Sequence, residues 1–284
     1  MPAFGRPPRI WQCGAMSGRT GAQGFLVALA RAVRFYSRLP VPRLAAERRA
    51  EEPFDFAIIA PAAPVAGLII GAIAALALLL AFGLGLGTLA ASVIAVGCGV
   101  VITGAMHEDG LGDLADGVFV EAPPERRLEI MHDSRLGTFG MLALLIATLL
   151  RVAFIVQLSH PGIMAAATAV IGAAALSRGA GLMPLVLLRP ARRDGVGAAA
   201  GRLPVDAFTN AVMLGCGLAL VLALTGGFGL MRGLLACLVG LAAARGVCAL
   251  AEARIGGQTG DVAGAAQILA EIGFYLALAL GSGG

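Results

Sequence analysis

The feature that most restricts how this chain folds is a series of long apolar runs separated by short polar ones. Stretches at 57–82, 86–106, 138–158, 162–188, 211–231, 233–251 and 262–282 each hold roughly 20 mostly apolar residues, enough for a helix to cross the hydrocarbon of a bilayer. Lipid offers the backbone no hydrogen bonds, so each such run closes its own as a helix. Composition agrees: 58% hydrophobic and only 13% charged residues, with a mean hydropathy of +0.88, exceed what a water-soluble domain carries. The 41 glycines suit helices packed closely in lipid. The sequence therefore predicts an all-α, polytopic integral membrane helical bundle of about seven transmembrane helices.

Ahead of the first run, Arg31, Arg34 and Arg38 alternate with Phe25, Leu26, Leu29, Val33 and Phe35. That spacing predicts an N-terminal amphipathic interfacial helix along the membrane surface. Residues 1–22, rich in Gly, Pro and Arg, are expected to form a disordered tail, with Met16 a second candidate start and no signal-peptide core ahead of it. Residues 23–284 are then expected to form a single membrane-embedded catalytic domain. Cys13, Cys98, Cys216, Cys237 and Cys248 show no paired spacing and read as small buried hydrophobes.

The formal charge of +4 is carried by arginine, since the chain has no lysine. With the N-terminus inside, seven spans put three basic loops on the cytoplasmic side: Arg126/Arg127/Arg135, Arg189/Arg192/Arg193/Arg202, and Arg254. Residues 83–85, 159–162 and Arg232 fall outside. Basic charge placed this way sets topology and calls for no nucleic-acid partner.

Chemistry enters where the second run ends. His107-Glu108-Asp109-Gly110-Leu111-Gly112-Asp113-Leu114-Ala115-Asp116-Gly117 carries three Asp at i, i+4 and i+7, one face of a helix. Carboxylates so stacked repel one another near lipid unless a cation sits among them. All-oxygen ligands favour Mg²⁺, Ca²⁺ or Mn²⁺, and Mg²⁺ typically takes one or two carboxylates plus substrate phosphates. Asp109, Asp113 and Asp116 are therefore the candidate metal ligands and catalytic residues for attack on a phosphoanhydride, with His107 a candidate acid or base beside them. His132 also flanks the acidic segments, whereas His160 falls on the opposite face.

Two further polar knots lie on the same expected face. Asp133, Ser134 and Arg135 place an acid, a hydroxyl and a guanidinium just before the third span; Arg135 can grip phosphate bidentately, and an ordinary Asp133–Arg135 ion pair is the plainer reading. Asp261, after Gly256-Gly257-Gln258-Thr259-Gly260, opens the last span and reads either as a site residue or as a helix N-cap. Arg151, Arg178 and Arg245 fall within or near spans, where such residues face the bundle interior or snorkel.

Taken in order, H-x-D-G-L-x-D-x-x-D-G, D-S-R-x-G-T-F-G and G-G-x-T-G-D-x-x-G-A resemble the cobalamin synthase (cobalamin 5′-phosphate synthase) family. The similarity extends to Arg38-Leu39-Pro40 and to the loop from Arg189-Pro190-Ala191-Arg192 to Gly197, covering most of the chain from about residue 24. His132 stands where Lys often precedes D-S-R, and Arg254 where Lys often precedes I-G-G. The resemblance implies a Mg²⁺-requiring enzyme of the bacterial cytoplasmic (inner) membrane, with its active site facing the cytoplasm. It would join adenosylcobinamide-GDP to α-ribazole or its 5′-phosphate and release GMP. It further implies substrate-binding roles for Asp133, Ser134, Arg135, Arg189, Arg192 and Asp261. Membrane lipid is the other expected partner, and self-association or association with other cobalamin-biosynthesis enzymes is left open. Two rival readings are a CDP-alcohol phosphotransferase, whose Ala-Arg continuation is missing after Asp113-Leu114-Ala115-Asp116-Gly117, and an ion or solute transporter, which would place its acids nearer the midplane.

Overall fold

A computed structural model describes residues 22–45, 47, 55–133, 135–192, 195, 197 and 201–281. The first long span is entered through a cap: Asp55 accepts from the Ala57 amide at 2.8 Å and starts α2 (Phe56–Ile59). A 3₁₀ turn over Ala60–Ala62 with Pro61 in its first turn leads into α3 (Ala63–Gly83), and the pair forms one apolar segment, Phe56–Gly83. Proline is tolerated there because first-turn amides have no intrahelical partner.

The second run departs from a straight span. α4 (Thr88–Thr103) stops at Gly104 and Ala105, both left-handed with φ of 65° and 58°. The chain then turns by 90° into α5 (Met106–Phe119), the acid-bearing helix. The expected span 86–106 is thus a 16-residue helix, about 24 Å long at 1.5 Å per residue. α5 lies across its end. Arg38 is built into this corner: its amide donates to Ile102 O at 2.7 Å and its guanidinium packs where a Gly104 side chain would stand.

After α6 (Pro124–Ile130) come α7 (Thr138–Leu158), α8 (Ile163–Ala180), the short α9 (Met183–Leu187), α10 (Val205–Thr225), α11 (Leu230–Ile255) and α12 (Gly260–Ala279). Among the described residues six helical segments are long and apolar enough to cross a membrane, seven when the bent α4–α5 pair counts as one. The expected fifth span, 211–231, is displaced to Val205–Thr225 because Gly227 and Gly229, with φ of 81° and 79°, end it and restart the chain as α11.

Burial orders the bundle. In their most apolar windows α8 and α12 are 89% and 78% buried, against 28% for α7 and α10. The first two form the centre and the second two carry the apolar exterior. Small residues set the spacing: α3 meets α8 where a Gly71 Cβ would lie 2.7 Å from the Ala174 Cβ. α11 meets α12 where a Gly240 Cβ would lie 2.9 Å from Ala270 O. In lipid this close van der Waals contact, rather than expulsion of water, holds helices together.

α1 (Ala22–Tyr36) packs on α3 through Val27, Ala28, Ala30, Ala32, Val33 and Tyr36. Phe25 and Leu26 are exposed, so the buried face is narrower and smaller-chained than the expected stripe. Residues 1–21, and with them Cys13 and Met16, lie outside the described residues.

Candidate active site

Parts of three sequence knots meet at one end of the bundle: Gly137 and Gly140 at Asp116 of α5, and Asp261, beside Arg192, against Gly110 of α5. The helix is pressed against the start of α12 through glycines: a Gly110 Cβ would sit 3.0 Å from the Asp261 Cα, and a Gly264 Cβ 3.3 Å from the His107 Cα. A side chain at either position would push the helices apart, so the glycines of the D-G-L and G-D-x-x-G motifs fix how near Asp261 comes to the α5 carboxylates.

The three Asp have different surroundings. Asp109 is exposed, Asp113 half-buried and Asp116 buried. Asp116 binds the start of α7: its two oxygens accept from the Gly137 and Gly140 amides at 2.7 and 2.8 Å. Anions are favoured at a helix N-terminus. A side chain at either position would displace the carboxylate, because a Gly137 Cβ would stand 2.5 Å from Asp116 Oδ1 and a Gly140 Cβ would meet its Oδ2. The G-T-F-G motif is therefore the other half of the α5 acidic motif.

Asp113 stands at the centre. Its carboxyl is pushed up to about 7, first by burial, then by the negative charges of Asp109, Asp261 and Asp116, with Arg192 opposing. A carboxyl that holds its proton near neutrality among three others marks a place where positive charge is short. Asp261 brings the fourth carboxylate from the far end of the sequence. It is not the N-cap of α12: Thr259 is, its Oγ1 accepting from the Val262 amide at 3.4 Å. Asp261 lies 3.7 Å from Arg192 and bonds to the Thr259 hydroxyl at 3.1 Å.

The loop carrying Arg189 and Arg192 is laced to the loop before α12. Gln258 N donates to Arg189 O at 2.8 Å, Ala191 N to Gln258 O at 2.9 Å, and Gln258 Nε2 to Gly197 O at 3.0 Å. Gly257 leaves room for the Arg189 carbonyl. This lacing brings Arg192 to the acids, while Arg189 stays exposed with its Nε on Gly256 O at 3.3 Å.

Asp133 and Arg135 form the plainer of the two expected arrangements, an exposed pair with Nη2 to Oδ2 at 2.6 Å. Arg135 holds the Asp133 carboxyl down at about 2. Ser134 lies outside the described residues. His107 is buried and stacked on Tyr36, with ring centroids 6.1 Å apart, and its Nε2 has no hydrogen-bond partner among the described residues.

One part of the site escaped the sequence reading. Arg151 on α7 bonds Glu108 on α5 at 2.8 Å and Glu271 on α12 at 3.0 Å, and the Tyr275 hydroxyl donates to Glu271 at 3.3 Å. Glu108 is thereby turned away from Asp109 into the bundle. The available signal was two charges, Arg151 and Glu271, inside apolar runs, which in lipid face each other or a cavity.

The donor set fits Mg²⁺ in its usual mode. Among the described residues no three His, Cys, Asp or Glu side chains are grouped to hold an ion by themselves. Asp109 and Asp113, with Asp116 and Asp261 beside them, instead offer the one or two carboxylates to which Mg²⁺ adds phosphate oxygens and water.

The profile of the cobalamin-5-phosphate synthase family matches residues 28–279. The chain is 46% identical over 251 residues to the adenosylcobinamide-GDP ribazoletransferase of Azorhizobium caulinodans, covering 88% of this chain and 94% of that one. It is 44% identical to the Xanthobacter autotrophicus protein of the same name (87% and 94% covered) and 39% identical to that of Rhizobium etli strain CIAT 652 (90% and 97%). No solved structure matches it.

Proposed function

The chain belongs to the cobalamin-5-phosphate synthase family, and on that premise we infer that it is an adenosylcobinamide-GDP ribazoletransferase performing the last assembly step of the cobalamin nucleotide loop. The observation that carries this reading to chemistry is the meeting of Asp113, Asp109 and Asp261 beside Arg192.

In the proposed reaction a ribose hydroxyl of α-ribazole, or of its 5′-phosphate, forms a bond to the cobinamide-linked phosphorus. The bond from that phosphorus to the bridging oxygen breaks, and GMP leaves with the electron pair. Asp109 and Asp113, with Asp116 and Asp261 beside them, would hold Mg²⁺, which would supply charge neutralisation for the phosphates and the leaving group. Asp109, the exposed carboxylate, accepts the hydroxyl proton. Arg192, held by the laced loop, faces the anhydride with a guanidinium suited to phosphate. Arg189 and Arg135 lie at the exposed margin as further phosphate contacts. Catalysis of this kind is mostly positioning and electrostatics, which a rigid pair of crossing helices serves well.

The acid-bearing end faces the cytoplasm in this proposal, with the protein in the inner membrane and its N-terminus inside. The support is that the Arg-rich connections, Arg126 to Arg135, Arg189 to Arg202 and Arg254, fall on the acid-bearing side of the seven-span reading, whereas the loop 159–162 has no arginine.

The test is turnover by the purified protein in lipid with adenosylcobinamide-GDP and each acceptor, with Mg²⁺ present and then chelated. Acceptor-dependent GMP release that stops on chelation and returns with Mg²⁺ is expected. Solute flux without GMP release would replace this reading with a transporter, and release driven only by lipid alcohols with a CDP-alcohol-type enzyme.

A further inference from the structure

We propose that the cavity between α1, α2, α5, α9 and α12 is the seat of the acceptor's aromatic base, with the ribose of α-ribazole at its Asp109–Asp261 end. The assignment rests on the ribazoletransferase reading and goes beyond it in giving one substrate half a place.

Size decides first. The cavity measures about 190 Å³, below the roughly 300–1,000 Å³ of drug-sized sites. A corrin is excluded and a single bicyclic ring is not. Its walls come second. Phe35, Tyr36 and Phe56 form an edge-to-face cluster, with Phe35 4.9 Å from Tyr36 and 5.2 Å from Phe56. Met106, Leu182 and Leu185 complete an apolar lining. Planar aromatics pack edge-on and offset against such rings.

Polarity separates the two bases present in the reaction. Guanine carries donors and acceptors along its edge, each costing free energy if buried unpaired. Dimethylbenzimidazole carries two methyl groups and one free ring nitrogen. The polar side chains in the lining are Tyr36, His107, Asp109, Asp261 and Gln267. His107 is 4% exposed and its Nε2 has no hydrogen-bond partner among the described residues, so it can serve that one nitrogen. Continuity completes the case: Asp109 and Asp261 belong both to this cavity and to the acid cluster around Asp113. A base seated against the aromatic rings therefore leaves its ribose beside the carboxylates where the hydroxyl must react.

The test uses the full chain in lipid and two substitutions. Leu185→Phe narrows the cavity, and Phe35→Ala removes a half-buried wall, so that a folded variant is available even if the first overpacks the core. Steady-state GMP release gives KM separately for donor and acceptor, and α-ribofuranosyl-benzimidazole without the methyl groups serves as a smaller acceptor. Leu185→Phe is expected to raise the α-ribazole KM about tenfold, to raise that of the unmethylated acceptor less, and to leave the donor KM within about twofold. Phe35→Ala should raise the α-ribazole KM severalfold. A rise confined to the donor KM would assign the cavity to guanine, and unmoved constants in both variants would remove it from substrate binding. Either result in an enzyme that still makes cobalamin overturns the cavity assignment alone. A wild-type protein that releases no GMP with any acceptor overturns the ribazoletransferase reading itself.

Discussion

At the scale of single residues the site is shaped by absent side chains as much as by carboxylates. Gly137 and Gly140 present their amides to Asp116 at 2.7 and 2.8 Å, in space where a methyl group would overlap the carboxylate. Gly140→Ala should therefore cost about 1–3 kcal/mol in stability, as overpacking does, and should lower turnover by shifting α7 from α5. Thermal unfolding in detergent beside GMP release measures both, and an alanine variant with unchanged stability and rate would mean that α7 adjusts freely. The sequence made the acidic residues visible because three Asp at helical spacing are conspicuous in an apolar chain. It could not show that Asp116 would be taken up by the next motif, and it left Asp261 between a site residue and an N-cap, since both outcomes depend on close crossings of helices distant in sequence. Arg135 reads from sequence as a phosphate grip or, more plainly, as the partner of Asp133, and the plainer reading is what the structure describes.

At the scale of elements, α5 is held by charge as well as by packing. Arg151 joins Glu108 on α5 and Glu271 on α12 from inside the bundle, each pairing at 3.0 Å or less. Removing the cation leaves the buried Glu271 and the part-buried Glu108 carboxylates without it, so Arg151→Met should cost about 3–5 kcal/mol. Changing Glu108 and Glu271 to Gln in the same chain should recover part of that loss. Unfolding curves of the single and triple variants test this, and a single variant as stable as the parent would show that Arg151 does not hold the three helices. The spans themselves were legible, because roughly 20 apolar residues permit little besides a transmembrane helix. The bend after α4 was not, because Ala105 adopts φ 58° against its own preference, under the tertiary contact that seats Arg38 on Gly104. The displacement of α10 by six residues has a local cause: the glycines at 227 and 229 lie inside what hydropathy counted as one run.

At the scale of the whole molecule, the packing gradient explains why a membrane enzyme can keep a rigid site at one end. α8 and α12, the most buried spans, form the axis, and α12 carries Asp261 in its first turn. A movement of the axis is thus a movement of the site. The same arrangement predicts sidedness. Reporter fusions within residues 121–136 and 201–204 should report the cytoplasm, and one at 159–162 the opposite side. The reverse pattern would turn the acid-bearing end outward and separate it from a cytoplasmic substrate pool. The central claim, that the α5–α12 carboxylate cluster is where phosphorus is transferred, is tested most directly by GMP release from adenosylcobinamide-GDP by Asp113→Asn, titrated with Mg²⁺ beside the parent protein. The account predicts a folded, membrane-inserted variant whose turnover falls about a hundredfold or more and is not restored by saturating Mg²⁺. Parent-like turnover, with the parent's Mg²⁺ dependence, would contradict it.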